Sequence, residues 1–365
     1  MSVFREKMYL YNIPRLRSIG FSFTSLSRVG VVMSRSSLQS ATFTTLAFSL
    51  LGLLLTIGLS GCGGKADDGW PKDHAGPKVV VSFAPYYCFA VNVAGDDAVV
   101  RTLMTTSGPH EFEPTDKDAR LLRRADLFFI NGLGLEGEKP ETLKRGSGNP
   151  KLKIVDLGSL VPQDKLLEGS CHHDHKDGDD DHDHGKDPHI WLSPDHVEIL
   201  VNGIRDELKA ADPAHAANYD RRAKEYIEKL KKLKTEGIAI LKDKKDRKMV
   251  SFHDSLTYFA KAFDLNIVGV VEKNPGTEPN DQELKKLIAL CADEDHPIRL
   301  ITVEPQYGTS NSGEELIKTL KHKKVPDPVL VEIDTLETVV PDQLNAGWYE
   351  AKMLANLKAL AEKMK

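Results

Sequence analysis

Cysteine is scarce in this chain of 365 residues. The four present, Cys62, Cys88, Cys171 and Cys291, form neither a Cys-x-x-Cys pair nor zinc-finger spacing, which excludes a disulfide scaffold and a thiolate zinc module. His-Glu-x-x-His and Gly-x-Ser-x-Gly are both absent, so neither the helix of a zinc peptidase nor a nucleophile elbow is present. After the first sixty residues no apolar run is long enough to span a bilayer. Basic charge is also in deficit, with 49 Lys and Arg against 54 Asp and Glu, which argues against a nucleic-acid partner.

The apolar run that does exist lies near the start. Phe43 to Leu59 carries no charge and no polar face, and it ends in small residues around Cys62, as a processing site does. It resembles a bacterial lipoprotein signal, with Leu59-Ser60-Gly61-Cys62 as the lipobox and Cys62 as the lipidated first mature residue. A plain transmembrane anchor is the alternative. Met33, followed by Arg35, would give a leader of ordinary length. Processing at Cys62 leaves 43 basic against 53 acidic side chains, a balance of −10 that suits a protein handling cations. Residues 62–77 are rich in glycine, proline and charge and read as a flexible tether.

The most unusual stretch is His172 to Trp191, HHDHKDGDDDHDHGKDPHIW. His172, His173, His175, His182 and His184 alternate with aspartates in a segment with almost nothing to enter a core, so it reads as a loop that collects divalent metal without fixed geometry, or else as a solubilising insertion. A defined site needs histidines held by folded structure. His189, in Asp187-Pro188-His189-Ile190-Trp191, is the first with apolar neighbours to fix it.

On either side of the tract, short apolar strands alternate with helices. Strands are expected at Val79–Phe83, Val99–Met104, Leu127–Asn131 and Leu152–Val155, and again at Met249–Phe252, Ile267–Val271, Arg299–Val303 and Val329–Ile333. Between the two sets, one helix runs from Pro194 to about Ala210. A second runs from Pro213 to about Lys234, with apolar residues at helical spacing and a charged opposite face, as a rigid connector would have. The fold expected is α/β: two Rossmann-like lobes with parallel sheets, residues 78–194 and 246–365, joined through a helical segment at 195–245.

In open parallel sheets, ligands bind beyond the carboxyl ends of the strands. The polar residues there are His110 in Pro109-His110-Glu111-Phe112-Glu113-Pro114, His253 in Phe252-His253-Asp254, Glu304 in Glu304-Pro305-Gln306, and Asp334 in Ile333-Asp334-Thr335. With His189 they offer three imidazoles and a carboxylate, His110, His189, His253 and Asp334, which suits four-coordinate Zn2+; Mn2+ would favour more oxygen donors. Glu111 and Glu113 are alternative ligands. Asp254 and Glu304 are the bases that a zinc hydrolase would need.

These motifs, with Ala125-Asp126 before Gly132-Leu133-Gly134-Leu135-Glu136 and with Tyr258-Phe259, resemble the zinc-binding lipoproteins of metal ABC transporters, the cluster A-I substrate-binding family. The resemblance covers nearly all of the chain after the leader. It implies a periplasmic or surface-exposed, lipid-anchored monomer that carries Zn2+ to an ABC permease and its ATPase and is not an enzyme. It places the ligands at His110, His189, His253 and Asp334. Manganese members usually have a carboxylate where this chain has His253, and a histidine-rich loop before the second ligand is typical of zinc members. A manganese or iron carrier, a hydrolase and a metal-dependent adhesin are the competing readings.

Overall fold

The computed structural model describes residues 69–169, 185–272, 281–305 and 311–365. The leader, Cys62, and His172, His173, His175, His182 and His184 lie outside the described residues.

Two lobes repeat one βαβ rhythm. The first contains β1 (Lys78–Val81), α1 (Ala84–Ala94), β2 (Val99–Thr102), α2 (Asp116–Leu122), β3 (Leu127–Ile130), α3 (Lys139–Ser147) and β4 (Lys153–Asp156). After α4 (Pro194–Ala211) and α5 (Ala216–Leu241), the second contains β5 (Lys248–His253), α6 (Thr257–Ala262), β6 (Asn266–Glu272), α7 (Asp281–Cys291), β7 (Leu300–Val303), α8 (Asn311–His322), β8 (Val329–Glu332) and α9 (Trp348–Lys363). The sheets have the same order, β2-β1-β3-β4 and β6-β5-β7-β8, and every pairing within them is parallel. Val79, Val80 and Val81 are fully buried, as strands covered on both faces require.

The expected α/β architecture is present, with differences in extent. Helix α3 was not expected from the sequence: KPETLKRGS offers a single buried aliphatic side chain, Leu143, too little for a periodic signal. Helix α5 runs 26 residues, further than its apolar spacing indicated, because its last turns pack on the second lobe.

That packing explains how one helix fixes two lobes. At its start, Arg222 donates to the carbonyls of Val93 and Ala94, each at 2.7 Å, and to Asp97 Oδ2 at 2.6 Å, so a cation caps the carboxyl end of α1. Near its other end Gly237 leaves no room for a side chain: a Cβ there would stand 2.4 Å from Phe263 and 2.7 Å from Leu357. The close approach locks α5 against α6 and α9. Further ties cross between the halves, with Trp191 Nε1 donating to Thr335 O at 2.8 Å, Tyr349 OH to Trp191 O at 2.8 Å, and the Val339 amide to Thr105 O at 2.7 Å.

Candidate metal centre

Each histidine reaches the interlobe region from a differently built segment. His110 lies on the loop between β2 and α2, between Pro109 and the buried Phe112, with the Glu111 amide bonded to Gly108 O at 3.3 Å. The far end of that loop is fixed by a capping box, Thr115 and Asp118 exchanging bonds across the first turn of α2. His189 precedes a short 3-10 turn formed by Ile190, Trp191 and Leu192, all fully buried. His253 is the last residue of β5.

The three converge. Donor atoms of His110, His189 and His253 lie within 4.8 Å of one another, and their ring centroids are 5.3–5.8 Å apart. His189 is fully buried and His253 nearly so, while His110 keeps some exposure and marks the open side.

Glu337 brings its carboxylate beside this group. Its side chain is fully buried, and its Oε1 lies 3.9 Å from both His110 Nε2 and His189 Nε2. Asp334, which the sequence pointed to, is engaged elsewhere. Its Oδ1 accepts from the Leu336 amide at 2.8 Å and its Oδ2 from Lys352 Nζ at 2.8 Å, and among the described residues it belongs to no group of converging donors. Glu337, three residues along the chain, is the carboxylate that stands beside two of the three imidazoles. Glu111 and Glu113 are both exposed, and neither joins the cluster.

Two carboxylates orient the imidazoles from behind. Asp187 Oδ1 accepts from the His189 amide at 2.9 Å and sits 2.7 Å from its Nδ1, so Nδ1 carries the ring proton and the lone pair falls on Nε2. His189 Nε2 is buried and has no hydrogen-bond partner among the described residues. Glu304 stands in the same relation to His253, 3.2 Å from its Nδ1, and is itself held by Ser255 Oγ at 2.7 Å and Thr335 Oγ1 at 3.3 Å. Burial drives the His189 pKa down to about 3, and the neighbouring His253 adds to the shift; burial pushes Asp187 up to about 7 against the pull of the bond from the His189 amide. The direction we stand behind for the pair is a neutral imidazole, the form that binds metal.

A tetrahedral zinc ion with bonds of about 2.0–2.1 Å separates its ligand atoms by about 3.3 Å. The two 3.9 Å carboxylate-to-imidazole spacings need a contraction of about half an ångström, and the imidazole donors, within 4.8 Å of one another, one of up to about 1.5 Å. The base of the histidine-rich tract is joined to this assembly. Gly169 and Gly185 pair at 2.8 Å, the Asp187 amide bonds Leu167 O at 2.9 Å, and Tyr258 OH donates to Asp187 O at 3.1 Å. Cys88 and Cys291 are buried away from the cluster, their thiols pushed up to about 12 and about 11 by burial.

Comparison with known proteins gives a consistent picture. Residues 79–363 match the ZnuA family, described as zinc-uptake complex component A, periplasmic. The zinc-binding protein AdcA of Streptococcus pyogenes serotype M3 is 31% identical over 297 residues, covering 78% of this chain and 55% of that protein, so the chain spans about half the length of this relative. Among solved structures, a Zn(II)-bound mutant variant of AdcAII from Streptococcus pneumoniae has 26% identity and a TM-score of 0.65, covering 80% of this chain and 99% of the other. The substrate-binding protein FpvC of Pseudomonas aeruginosa with Mn2+ has 25% identity and a TM-score of 0.65, covering 79% and 98%.

Proposed function

Because the chain belongs to the family of periplasmic zinc-uptake components, we propose that it is the extracytoplasmic Zn2+-binding component of an ABC importer, with His110, His189, His253 and Glu337 as the ligands of the transported ion. The observation that carries this reading is the convergence of donors from the two lobes: three imidazoles lie within 4.8 Å of one another, and a fully buried carboxylate stands 3.9 Å from two of them. Imidazole and carboxylate together suit a borderline cation in tetrahedral geometry. Zinc here is cargo. Four protein donors leave no position for substrate or catalytic water, and Glu304, one of the two bases a hydrolase would use, is occupied by His253, Ser255 and Thr335.

The permease and ATPase partners follow from the same reading, as does attachment to the membrane through a lipidated Cys62. Among the described residues no helix is long and apolar enough to cross a membrane. The histidines of residues 172–184 serve as an auxiliary, weaker metal collector. A manganese carrier is the second reading, favoured by the nearness of two carboxylates, since His253, Glu304 and Glu337 also form a group of converging donors.

Metal analysis of protein purified without added metal, followed by X-ray absorption at the zinc edge, tests the assignment. We expect one tightly held zinc per chain in a shell of three nitrogens and one oxygen, all from protein. Retention of manganese in preference to zinc supports the second reading, and a metal-bound water beside an uncoordinated carboxylate supports the hydrolase.

A further inference from the structure

We propose that Asp334 is a positioning residue: its carboxylate braces a left-handed turn at Leu336 that aims Glu337 into the metal centre. The inference rests on Glu337 being a ligand.

The turn is overdetermined around one awkward residue. Leu336 has φ +65°, a region that branched and bulky L residues rarely enter, and it is fully buried, so a glycine or asparagine could not replace it without losing core packing. Asp334 Oδ1 accepts from the Leu336 amide at 2.8 Å, closing a local turn two residues long. Asn356 on α9 clamps the other side of Asp334, its Oδ1 accepting from the Asp334 amide at 3.0 Å and its Nδ2 donating to the Asp334 carbonyl at 2.7 Å. Lys352, one helical turn earlier on α9, holds Asp334 Oδ2 at 2.8 Å. Thr335 is tied at its carbonyl to Trp191 and at its hydroxyl to Glu304.

Strand β8 ends at Glu332. Beyond it the chain bends at Leu336 and Glu337, with the left-handed step at Leu336, and Glu337 stands 3.9 Å from His110 and His189. Strained backbone of this kind persists only where its surroundings hold it. Asp334 thus supplies an oxygen to an amide, and its effect on the ion passes through the backbone.

Four variants of the full chain, Glu337→Gln, Asp334→Asn, Asp334→Ala and Leu336→Gly, together with the Asp334→Ala/Leu336→Gly double, are titrated with Zn2+ against a competing chelator. Thermal denaturation of each is measured in parallel. Asp334→Asn keeps the oxygen that accepts from Leu336, so zinc affinity stays within about threefold. Asp334→Ala loses it, and affinity falls by roughly 10- to 100-fold, the range for residues that orient a ligand. In the Leu336→Gly background the loss on Asp334→Ala shrinks severalfold, because glycine adopts a positive φ without a brace. The cavity left by Leu336→Gly is common to both members of that comparison. If Asp334→Asn weakens binding as much as Asp334→Ala, the carboxylate acts through its charge and the inference is overturned. It is equally overturned if the loss is the same in both backgrounds. Should Asp334→Ala not fold, the asparagine variant and the double variant decide: the first must bind as wild type and the second must fold. An unchanged affinity in Glu337→Gln removes the ligand reading itself, whereas a weakened Glu337→Gln beside an unaffected Asp334→Ala removes only the positioning role.

Discussion

Replacing Glu337 with glutamine separates two quantities that a structural residue would move together. The carboxylate is fully buried and faces two imidazoles at 3.9 Å, so in the loaded protein it is the only anionic partner of the ion in the proposed ligand set. Removing one partner of a buried charge pair costs about 3–5 kcal/mol. At about 1.36 kcal/mol per decade, zinc affinity should fall by roughly 10²- to nearly 10⁴-fold. By linkage the same energy leaves the stabilisation conferred by zinc, and at roughly 2 °C per kcal/mol for a chain of this size the zinc-induced rise in Tm shrinks by about 6–10 °C. The metal-free protein moves the other way or stays put, because an amide is buried more cheaply than a carboxylate. Competition titration gives the affinity, and calorimetric scans with and without zinc give the two Tm values. Zinc affinity within threefold of wild type, or an apo Tm that drops as far as the loaded one, refutes the reasoning.

His253→Glu should shift preference from zinc toward manganese by at least tenfold in competition titrations, since it trades a nitrogen donor for a harder oxygen donor. It should also lower apo stability, because the new carboxylate faces Glu304, which now sits 3.2 Å from the imidazole. Removing residues 171–184 while keeping the Gly169–Gly185 pairing should abolish only the weaker zinc equivalents seen by calorimetry; loss of the tightest one would make a tract histidine a true ligand. Cys62→Ser should leave an uncleaved or unanchored chain, and an unmodified mature N-terminus well upstream of residue 62, read by mass spectrometry, would contradict lipidation. Zinc binding below pH 7 should release protons, because a cation one imidazole away favours ionised Asp187; calorimetry in buffers of different ionisation enthalpy would show no buffer dependence if this is wrong.

The three histidines were legible because each has a local reason to be fixed. Pro109 and Phe112 flank His110, Ile190 and Trp191 follow His189, and β5 delivers His253 at its carboxyl end, all features of short windows. The acid was not legible for a physical reason. Asp334 stands directly beyond a strand, where ligands are expected, while Glu337, the carboxylate beside the imidazoles, follows the positive φ at Leu336. A leucine in that conformation has no signature in sequence: Asp334, which accepts from its amide, is itself held by Asn356 and Lys352, and Thr335 by Trp191, all from distant positions. Asp187 was hidden differently: it closes an aspartate-rich stretch with almost nothing to enter a core, yet it is buried and holds Nδ1 of His189. The sheets were legible because apolar β-branched strands covered on both faces read as continuous runs, whereas α3 depends on tertiary contacts that nine mostly polar residues do not announce.

Asp187 and His189 also bear on how the empty fold responds to acid, and the two shifts act in opposite directions. His189 has a folded pKa near 3, below its unfolded value of about 6.5, so alone it withdraws stability as pH falls through that interval. Asp187, raised to about 7 from 3.8, alone supplies stability at low pH that is lost as pH rises toward 7. Between about pH 4 and 6.5 the unfolded pair carries one proton, on the imidazole, and the folded pair also carries one beyond the neutral ring, on the carboxyl. The two slopes therefore cancel over most of the acidic range, and burying this pair makes the fold no more acid-sensitive than it would be without it. The oxygen that accepts from the His189 amide and from Nδ1 is the same Oδ1, so a proton on the other oxygen leaves both bonds intact. The ring keeps its proton on Nδ1 and its lone pair on Nε2 in either ionisation state of Asp187, and the metal-facing side of His189 is held in its binding form before the ion arrives.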